Sequence, residues 1–583
     1  MKRVRFTIFL LLLLIIAFIG LIARCFYLQY FKNDHYTEIC LKQLSYQLWQ
    51  PQRGPIFDSR GRVLAASNRI QNIFVEPGAL GDIDNVKDTS NELASVLNEG
   101  AHIICSKILD SRNPGYVKIM EDADLDQCQT ARKIKGVGVQ TDWRRSYPMG
   151  SLMAHIIGFT GKDNHGLEGI ELKYEEQLSG QDSEKFFYAD VYRRPIRFKE
   201  QDGKLTDGVG IVLTIDSTIQ EIVREELMKQ YKDFEADSAM AIVADPKTGA
   251  ILAMVSVPDY DPNNRHAADS NSLRNRLITD QFEPGSMIKP IVTAIAIDNG
   301  AIHKNDTIFC ENGNYHGKEF GTVHEYKTHT FGNLKIRDII IKSSNIGMAK
   351  IGQKMGKETL YEGLKMFGFG ETTGIELPGE VEGLLRPLKQ WTGYSITRIP
   401  YGYEINVTAM QMIRAYCILA NGGRLVRPYL VKAIIDNNGN IVQIRRPMPP
   451  VGYIIKPEVA KWLVTDVMVG VVNEKDNGGT GYRAKLSKWQ VFGKTGTANI
   501  ARVGVKGYED NNIASFVAGA PMEDPAVIVL VSIRHPKTSL GKGDSGGAVS
   551  SPVAGRIIDR TLTYLGVPPT LKQVAKSNIK SSK

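Results

Sequence analysis

Residues 239-AMAIVADPKTGAILAMVS-256 form two apolar runs joined by Asp245-Pro246-Lys247-Thr248-Gly249. Aspartate, proline and glycine each favour a tight turn, through a side chain that bonds its own backbone, a fixed φ, and freedom to take positive φ, respectively. The stretch therefore reads as a β-hairpin. Far downstream a last pair of apolar runs, 514-ASFVAGAP-521 and 526-AVIVLVSIRH-535, precedes an amphipathic helix near 551-SPVAGRIIDRTLTYLG-566, and long helical patches fill the interval. Upstream, 208-GVGIVLTIDSTIQEIVREELMKQY-231 reads as a β-branched run followed by an amphipathic helix that opens at Asp216 or Ser217. Strands at both ends with helices between them predict an α+β domain whose single sheet joins segments distant in sequence.

At 583 residues the chain exceeds what one hydrophobic core supports, so two or more domains are expected. With 43% hydrophobic and 23% charged residues, the composition excludes a disordered, collagen-like or multi-span membrane chain. The N-terminus is the exception: Phe6 to Ala23 is an 18-residue run without a charge, long enough to cross a bilayer as a helix. Lys2, Arg3 and Arg5 precede it, which favours an N-terminus left inside and a body outside. A cleaved signal peptide is the alternative, but its apolar segment is usually shorter. Cys25 does not mark a lipoprotein, because Arg24 stands where a small residue should precede it.

The region after the anchor reads as a helical continuation from Phe26 to about Leu48. A strand, a turn at 58-DSRG-61 and a second strand then follow within 53-RGPIFDSRGRVLA-65, and a helical patch at 87-KDTSNELASVLNEG-100. The six cysteines lack C-x-x-C spacing, so neither a zinc nor a redox site is indicated, although an oxidising compartment permits a Cys105–Cys128 disulfide. The net charge of +9 carries no basic stripe interleaved with aromatics, which argues against nucleic acid. The polar tail 576-KSNIKSSK-583 reads as disordered.

Chemistry concentrates at 281-QFEPGSMIKP-290, where Ser286 and Lys289 stand three apart behind Pro284-Gly285. They are either a nucleophile and its base or ordinary residues at a helix start. The same S-x-x-K spacing recurs at Ser539 in a glycine-rich loop and at Ser577 in the tail. Ser286 differs in its surroundings. Pro290 is tolerated only near a helix start, and 291-IVTAIAIDNG-300 is apolar enough to be buried, which would desolvate Lys289 and lower its pKa. Two further elements follow in order: S-x-N at Ser343 and Asn345 within 342-KSSNIGMAK-350, and K-T-G-T at Lys494 to Thr497 within 491-VFGKTGTAN-499. Each is weak alone, and an earlier K-T-G at Lys247 to Gly249 is explained by the hairpin turn.

Taken in order, S-x-x-K, S-x-N and K-T-G-T are the motif set of β-lactamases and penicillin-binding proteins. With 53-RGPIFD-58, 144-RRSYPMG-150, 166-GLEGIELKYEEQLSG-180, 407-VTAMQMIRAY-416, 478-GGTGYRA-484 and 515-SFVAGAP-521, the chain resembles a class B penicillin-binding protein over nearly its whole length. The resemblance implies a mixed α/β pedestal followed by a transpeptidase domain with a central antiparallel sheet flanked by helices. The expected division is residues 1–5 cytoplasmic, 6–24 anchor, 25–48 linker, 49–205 pedestal or dimerisation domain, 206–568 transpeptidase domain and 569–583 tail. It also implies a serine D,D-transpeptidase in which Ser286 attacks a D-Ala-D-Ala stem, Lys289 is the base and Ser343 relays a proton. Asn345 would then hold the substrate amide, Lys494 supply positive potential, Thr495 and Thr497 bind the terminal carboxylate, and Gly496 admit the substrate backbone to the strand. The oxyanion hole would be the N–H groups of Ser286 and Thr497. No metal or organic cofactor is called for.

The same resemblance implies acylation by β-lactams, a single-pass place in the bacterial cytoplasmic membrane with the catalytic domain outside, and partners that include a polytopic glycosyltransferase and other division proteins. Glu283-Pro284-Gly285 and the segment 166–172 are similar to division-type relatives. The alternatives are an elongation or sporulation enzyme, a carboxypeptidase or β-lactamase-like hydrolase, and a non-catalytic division scaffold. One position departs from the family: in 401-YGYEINVT-408, Glu404 stands where a small residue, often glycine, is usual. Either substrate detail differs there or the change is a harmless surface substitution.

Overall fold

A computed structural model describes residues 2–36, 44–49, 51–181, 183–189, 195–198, 206–326, 329–445, 452–501 and 508–571. The tail at 576–583 lies outside them. The chain divides into two compact units, Met1–Arg53 with Ser67–Arg144 and Ser179–Gly208, and Gly54–Ala66 with Arg145–Leu178 and Val209–Lys583.

In the first unit the apolar run lies within one helix, Lys2–Tyr30, in which the side chains of residues 6–23 are exposed and whose length and composition suffice to cross a membrane. A small core gathers Ile73, Val75, Leu93, Ile104, Val117 and Cys128. The helix expected at 87–100 runs Ile83–Leu97 instead. It opens four residues earlier because Asp82 caps it, its carboxylate accepting from the Asn85 N–H at 2.8 Å. The helical continuation expected to Leu48 is corrected. Leu44–Trp49 is a strand, paired antiparallel with Ser183–Ala189, which pairs in turn with Pro195–Phe198. L-S-Y-Q-L-W has the period of two that suits a strand, and its partner lies about 140 residues away, beyond any local reading. Cys105 and Cys128 are separate free thiols.

The second unit is built on a five-stranded antiparallel sheet. The helix α1 (Ser217–Asp233), capped by Asp216, precedes the hairpin strands β1 (Ser238–Ala244) and β2 (Ile251–Val257). The helices α2 (Lys289–Asp298), α3 (Asn345–Met355), α4 (Gly393–Arg398) and α5 (Ala409–Ala420) follow. The chain then returns to the sheet as β3 (Phe492–Ala501), β4 (Tyr508–Ala520) and β5 (Val527–Arg534), and closes with α6 (Ser551–Tyr564). The strand order is β2-β1-β5-β4-β3, so the hairpin read first from the sequence pairs through β5 with residues almost three hundred positions later.

Both faces of β1 and β5 are dry. Ala239, Ala241 and Val243 of β1 and Val527, Val529 and Val531 of β5 pack toward α1 and α6, through Ile219, Val223, Leu227, Val553, Ile557 and Ile558. The alternate residues Met240, Ile242, Ile528 and Leu530 pack into the larger core that holds α2, α3 and α5. Helices on both faces explain why these strands read as continuous apolar runs and not as alternating ones. Segments 54–66 and 145–178 are part of this unit. Asp58 accepts from Ser217 N–H and Oγ at 3.2 and 2.8 Å, and Arg145 pairs with Glu171 at 2.7 Å with both side chains buried.

Candidate active site

The segment carrying Ser286 is held from both ends. Phe282 exchanges backbone hydrogen bonds with Val407 at 3.0 and 2.9 Å, and the 3-10 turn Gly285–Ile288 leads straight into α2, whose first turn contains Pro290. The fully buried Tyr416 on α5 donates its hydroxyl to the Met287 carbonyl at 2.7 Å, satisfying an acceptor inside that turn. Ser286 itself is partly exposed while Lys289 is fully buried. The Lys289 ammonium donates to the Ser343 carbonyl at 2.6 Å, to Asn345 Oδ1 at 2.8 Å and to Ser343 Oγ at 3.2 Å. Burial drags its pKa from 10.5 down to about 7, against the opposing pull of the Glu325 carboxylate.

The S-x-N element has an unusual backbone. Ser343 sits at φ 61, the left-handed region that a residue with a Cβ seldom occupies, just ahead of α3. The capping role belongs to its neighbour: Ser344 Oγ accepts from Gly347 N–H at 3.0 Å and donates to Glu325 at 2.5 Å. Glu325 also accepts from Asn345 N–H at 2.7 Å, so a buried carboxylate occupies the positive end of α3. Asn345 donates its amide nitrogen to the His324 carbonyl at 3.1 Å, which leaves its Oδ1 for Lys289. Because Ser344 and Glu325 satisfy the helix end, the Ser343 hydroxyl is free of capping duty.

Lys494 on β3 completes the convergence. It is fully buried, and its Nζ lies 3.0 Å from Ser343 Oγ, so that one hydroxyl stands between two lysine nitrogens from elements more than two hundred residues apart. Burial holds Lys494 well below the usual lysine range, and the neighbouring Lys289 adds to the depression. Two ammonium groups cannot share so dry a space cheaply, which favours loss of a proton from the pair.

Next on the strand, Thr495 Oγ1 lies 2.8 Å from Thr480 Oγ1, and Thr497 Oγ1 accepts from Gly546 N–H at 3.1 Å. Gly496 is required by close packing, because a Cβ there would come within 2.8 Å of Met287 Cγ and 3.0 Å of the Pro284 carbonyl oxygen. The Thr497 carbonyl oxygen is 3.0 Å from where a Cβ on Gly285 would lie. The strand therefore lies against the turn that carries Ser286. A strand residue's N–H and C=O point to the same side, so the Thr497 N–H faces that turn as well.

The structure thus brings all the sequence-identified residues into one place in the second unit. The rival copies fall elsewhere: Ser539 is exposed on a short 3-10 turn, Lys247 to Gly249 form the β1–β2 turn, and Ser577 lies outside the described residues. Sequence reasoning missed Glu325, Ser344 and Thr480 as parts of the site. Thr480 stood within the quoted 478-GGTGYRA-484 without a role, and nothing local to Glu325 distinguishes it from a surface acid.

Comparison with known proteins agrees with this geometry. The family profile described as penicillin binding protein transpeptidase domain matches residues 239–559, and that described as penicillin-binding protein dimerisation domain matches residues 49–213. Stage V sporulation protein D of Bacillus subtilis is 32% identical over 579 residues, covering 98% of this chain and 87% of that protein. Peptidoglycan D,D-transpeptidase FtsI of Escherichia coli is 31% identical over 567 residues, covering 96% and 91%. The crystal structure of penicillin binding protein 3 from Mycobacterium tuberculosis, complexed with aztreonam, shares the fold with a TM-score of 0.69 at 24% identity, over 90% of this chain and 98% of that one. The chain belongs to the class B penicillin-binding proteins, the serine-type peptidoglycan D,D-transpeptidases.

Proposed function

We propose that the chain cross-links peptidoglycan stem peptides at the division septum, with Ser286 as nucleophile. The observation that carries the chemical part of this reading is the position of Ser343 Oγ, 3.2 Å from Lys289 Nζ and 3.0 Å from Lys494 Nζ, beside the Ser286 turn, while the septal part rests on the likeness of Glu283-Pro284-Gly285 and residues 166–172 to division-type relatives. A neutral lysine amine has two N–H bonds and one lone pair. The Ser343 carbonyl and Asn345 Oδ1 can take both hydrogens of Lys289, at 2.6 and 2.8 Å, which leaves the lone pair to accept a proton. In acylation Lys289 removes the Ser286 proton as Oγ attacks the penultimate D-Ala carbonyl of the donor stem. The Ser286 and Thr497 N–H groups hold the oxyanion, an arrangement whose loss typically costs about 10²–10³ in rate. The tetrahedral carbon then expels the terminal D-Ala amine, which receives its proton through Ser343. An amine of a second stem attacks the acyl-enzyme, loses its proton by the same relay and restores Ser286. Asn345 aligns the donor amide, Lys494 supplies positive potential, Gly496 admits the substrate backbone, and Thr495 and Thr497 grip the donor carboxylate.

The helix Lys2–Tyr30 anchors the chain in the cytoplasmic membrane as a single pass, with the catalytic domain outside, where the donor stems are. A polytopic glycosyltransferase and other division proteins are its partners. β-Lactams mimic the donor and acylate Ser286, as the aztreonam complex of the M. tuberculosis relative supports by analogy. The test uses the full-length protein in detergent with a fluorescent penicillin, beside Ser286→Ala. Durable labelling of the wild type that vanishes in the variant is expected. Absence of labelling would point to a scaffold, and rapid loss of label with antibiotic breakdown to a hydrolase. A fluorescent fusion should collect at the division plane; confinement to the lateral wall or to developing spores overturns the septal assignment.

A further inference from the structure

Glu404 lies at φ 62, a conformation that glycine takes freely and that crowds the Cβ of any other residue. Three contacts hold it there. Its N–H donates to Glu283 Oε1 at 3.0 Å, its Oε2 accepts from Ser395 Oγ at 2.7 Å, and its Oε1 lies 4.0 Å from an Arg398 guanidinium nitrogen. Glu283 is three residues before Ser286. Two residues before Glu404, the Gly402 carbonyl accepts from Gly285 N–H at 3.2 Å, and a Cβ on Gly402 would fall 2.1 Å from the Gly285 carbonyl oxygen. The loop 401–404 is thus pressed against the backbone that presents Ser286.

Ser395 and Arg398 belong to α4, and the first residues of α4 pack on the hairpin that precedes the S-x-N element. The Gly393 backbone packs on Glu319, where a Cβ would meet its carbonyl oxygen at 2.4 Å, and the Tyr394 ring packs on Gly321. The hairpin holding these residues ends at His324, and with Glu325 it fixes Asn345. We propose that Glu404 is a positioning residue that ties the Ser286 turn, through Ser395 and α4, to the hairpin supporting Asn345, and so sets the acylation geometry. A glycine supplies the backbone N–H to Glu283 without strain but lacks the tether. A strained residue persists where its surroundings over-determine it, and here the over-determining contacts all lead toward the two arms of the site.

This inference rests on Ser286 being the nucleophile, and the experiment separates the two. Acylation rate constants with fluorescent penicillin and thermal midpoints are measured on the full-length wild type, Ser286→Ala, Glu404→Gly, Glu404→Gln and Ser395→Ala. Wild-type labelling abolished by Ser286→Ala secures the nucleophile independently. Glu404→Gly is then expected to slow acylation about tenfold or more, since small misplacements are costly, while its thermal midpoint does not fall. Ser395→Ala should slow acylation similarly, and Glu404→Gln, which keeps an oxygen for Ser395, should stay close to the wild type. The loss should be uniform across pH, without moving the midpoint of the rate profile. If Glu404→Gly acylates within about twofold of the wild type, or Glu404→Gln falls as far as Glu404→Gly, the positioning role is overturned while the nucleophile stands.

Discussion

Acylation should be switched by the protonation of Lys289. Burial brings this amine from 10.5 to about 7. A single ionisation there leaves about half of the enzyme with a neutral amine at pH 7, about 97% at pH 8.5 and about 3% at pH 5.5, so the acylation rate constant should fall about thirtyfold between the last two. The assay is labelling of the full-length protein by a penicillin whose carboxylate stays ionised throughout, with circular dichroism at each pH to confirm the fold. A flat profile, or a rate that rises with acidity, would refute Lys289 as the base.

The stability consequence has a definite sign. Between pH 7 and 10.5 the unfolded chain holds a proton on Lys289 that the native state has released, so stability rises with pH across that window. The full shift corresponds to about 5 kcal/mol, and each pH unit within the window to about 1.4 kcal/mol from this group. Denaturant melts from pH 7 to 9 read the summed slope of Lys289 and Lys494, whose proton affinities are lowered in the same direction and so act with the same sign. Glu325→Gln provides an internal control. Its carboxylate raises the Lys289 pKa against burial, so its removal should move the midpoint of the acylation profile to lower pH. A midpoint that stays put or rises contradicts the electrostatic assignment.

Two other substitutions probe how the Ser286 turn is held. In Gly496→Ala the new Cβ meets the buried Met287 Cγ at 2.8 Å and the Pro284 carbonyl at 3.0 Å, so the Met287 side chain or the turn behind it must give; penicillin labelling should slow by about tenfold while circular dichroism is unchanged. In Tyr416→Phe the Met287 carbonyl loses its buried 2.7 Å hydrogen bond, which should lower stability by about 1–3 kcal/mol in chemical denaturation, and an unchanged midpoint would show that the bond contributes nothing.

Much of the site was legible because its pieces are local. Pro284-Gly285 ahead of Ser286, Pro290 at the first turn of α2, and the apolar residues behind it place a serine at a helix entrance and a lysine in the core without knowledge of any other segment. The β1–β2 hairpin and the Asp216 cap were likewise readable, since turn chemistry and side-chain period act over a few residues. The misread stretch, Leu44–Trp49, is one whose partner strand lies far along the chain.

The amino-acid order by itself set out the ordered motifs S-x-x-K, S-x-N and K-T-G-T and the α+β alternation that holds them, because these follow from neighbours along the chain. Only the folded structure decided that Ser343 takes a left-handed turn between two buried amines, that Glu325 rather than Ser343 serves the end of α3, and that Glu404 reaches both Glu283 and Ser395. Those relations join groups far apart in sequence. Packing brings them within hydrogen-bond distance, and burial turns that nearness into shifted proton affinity.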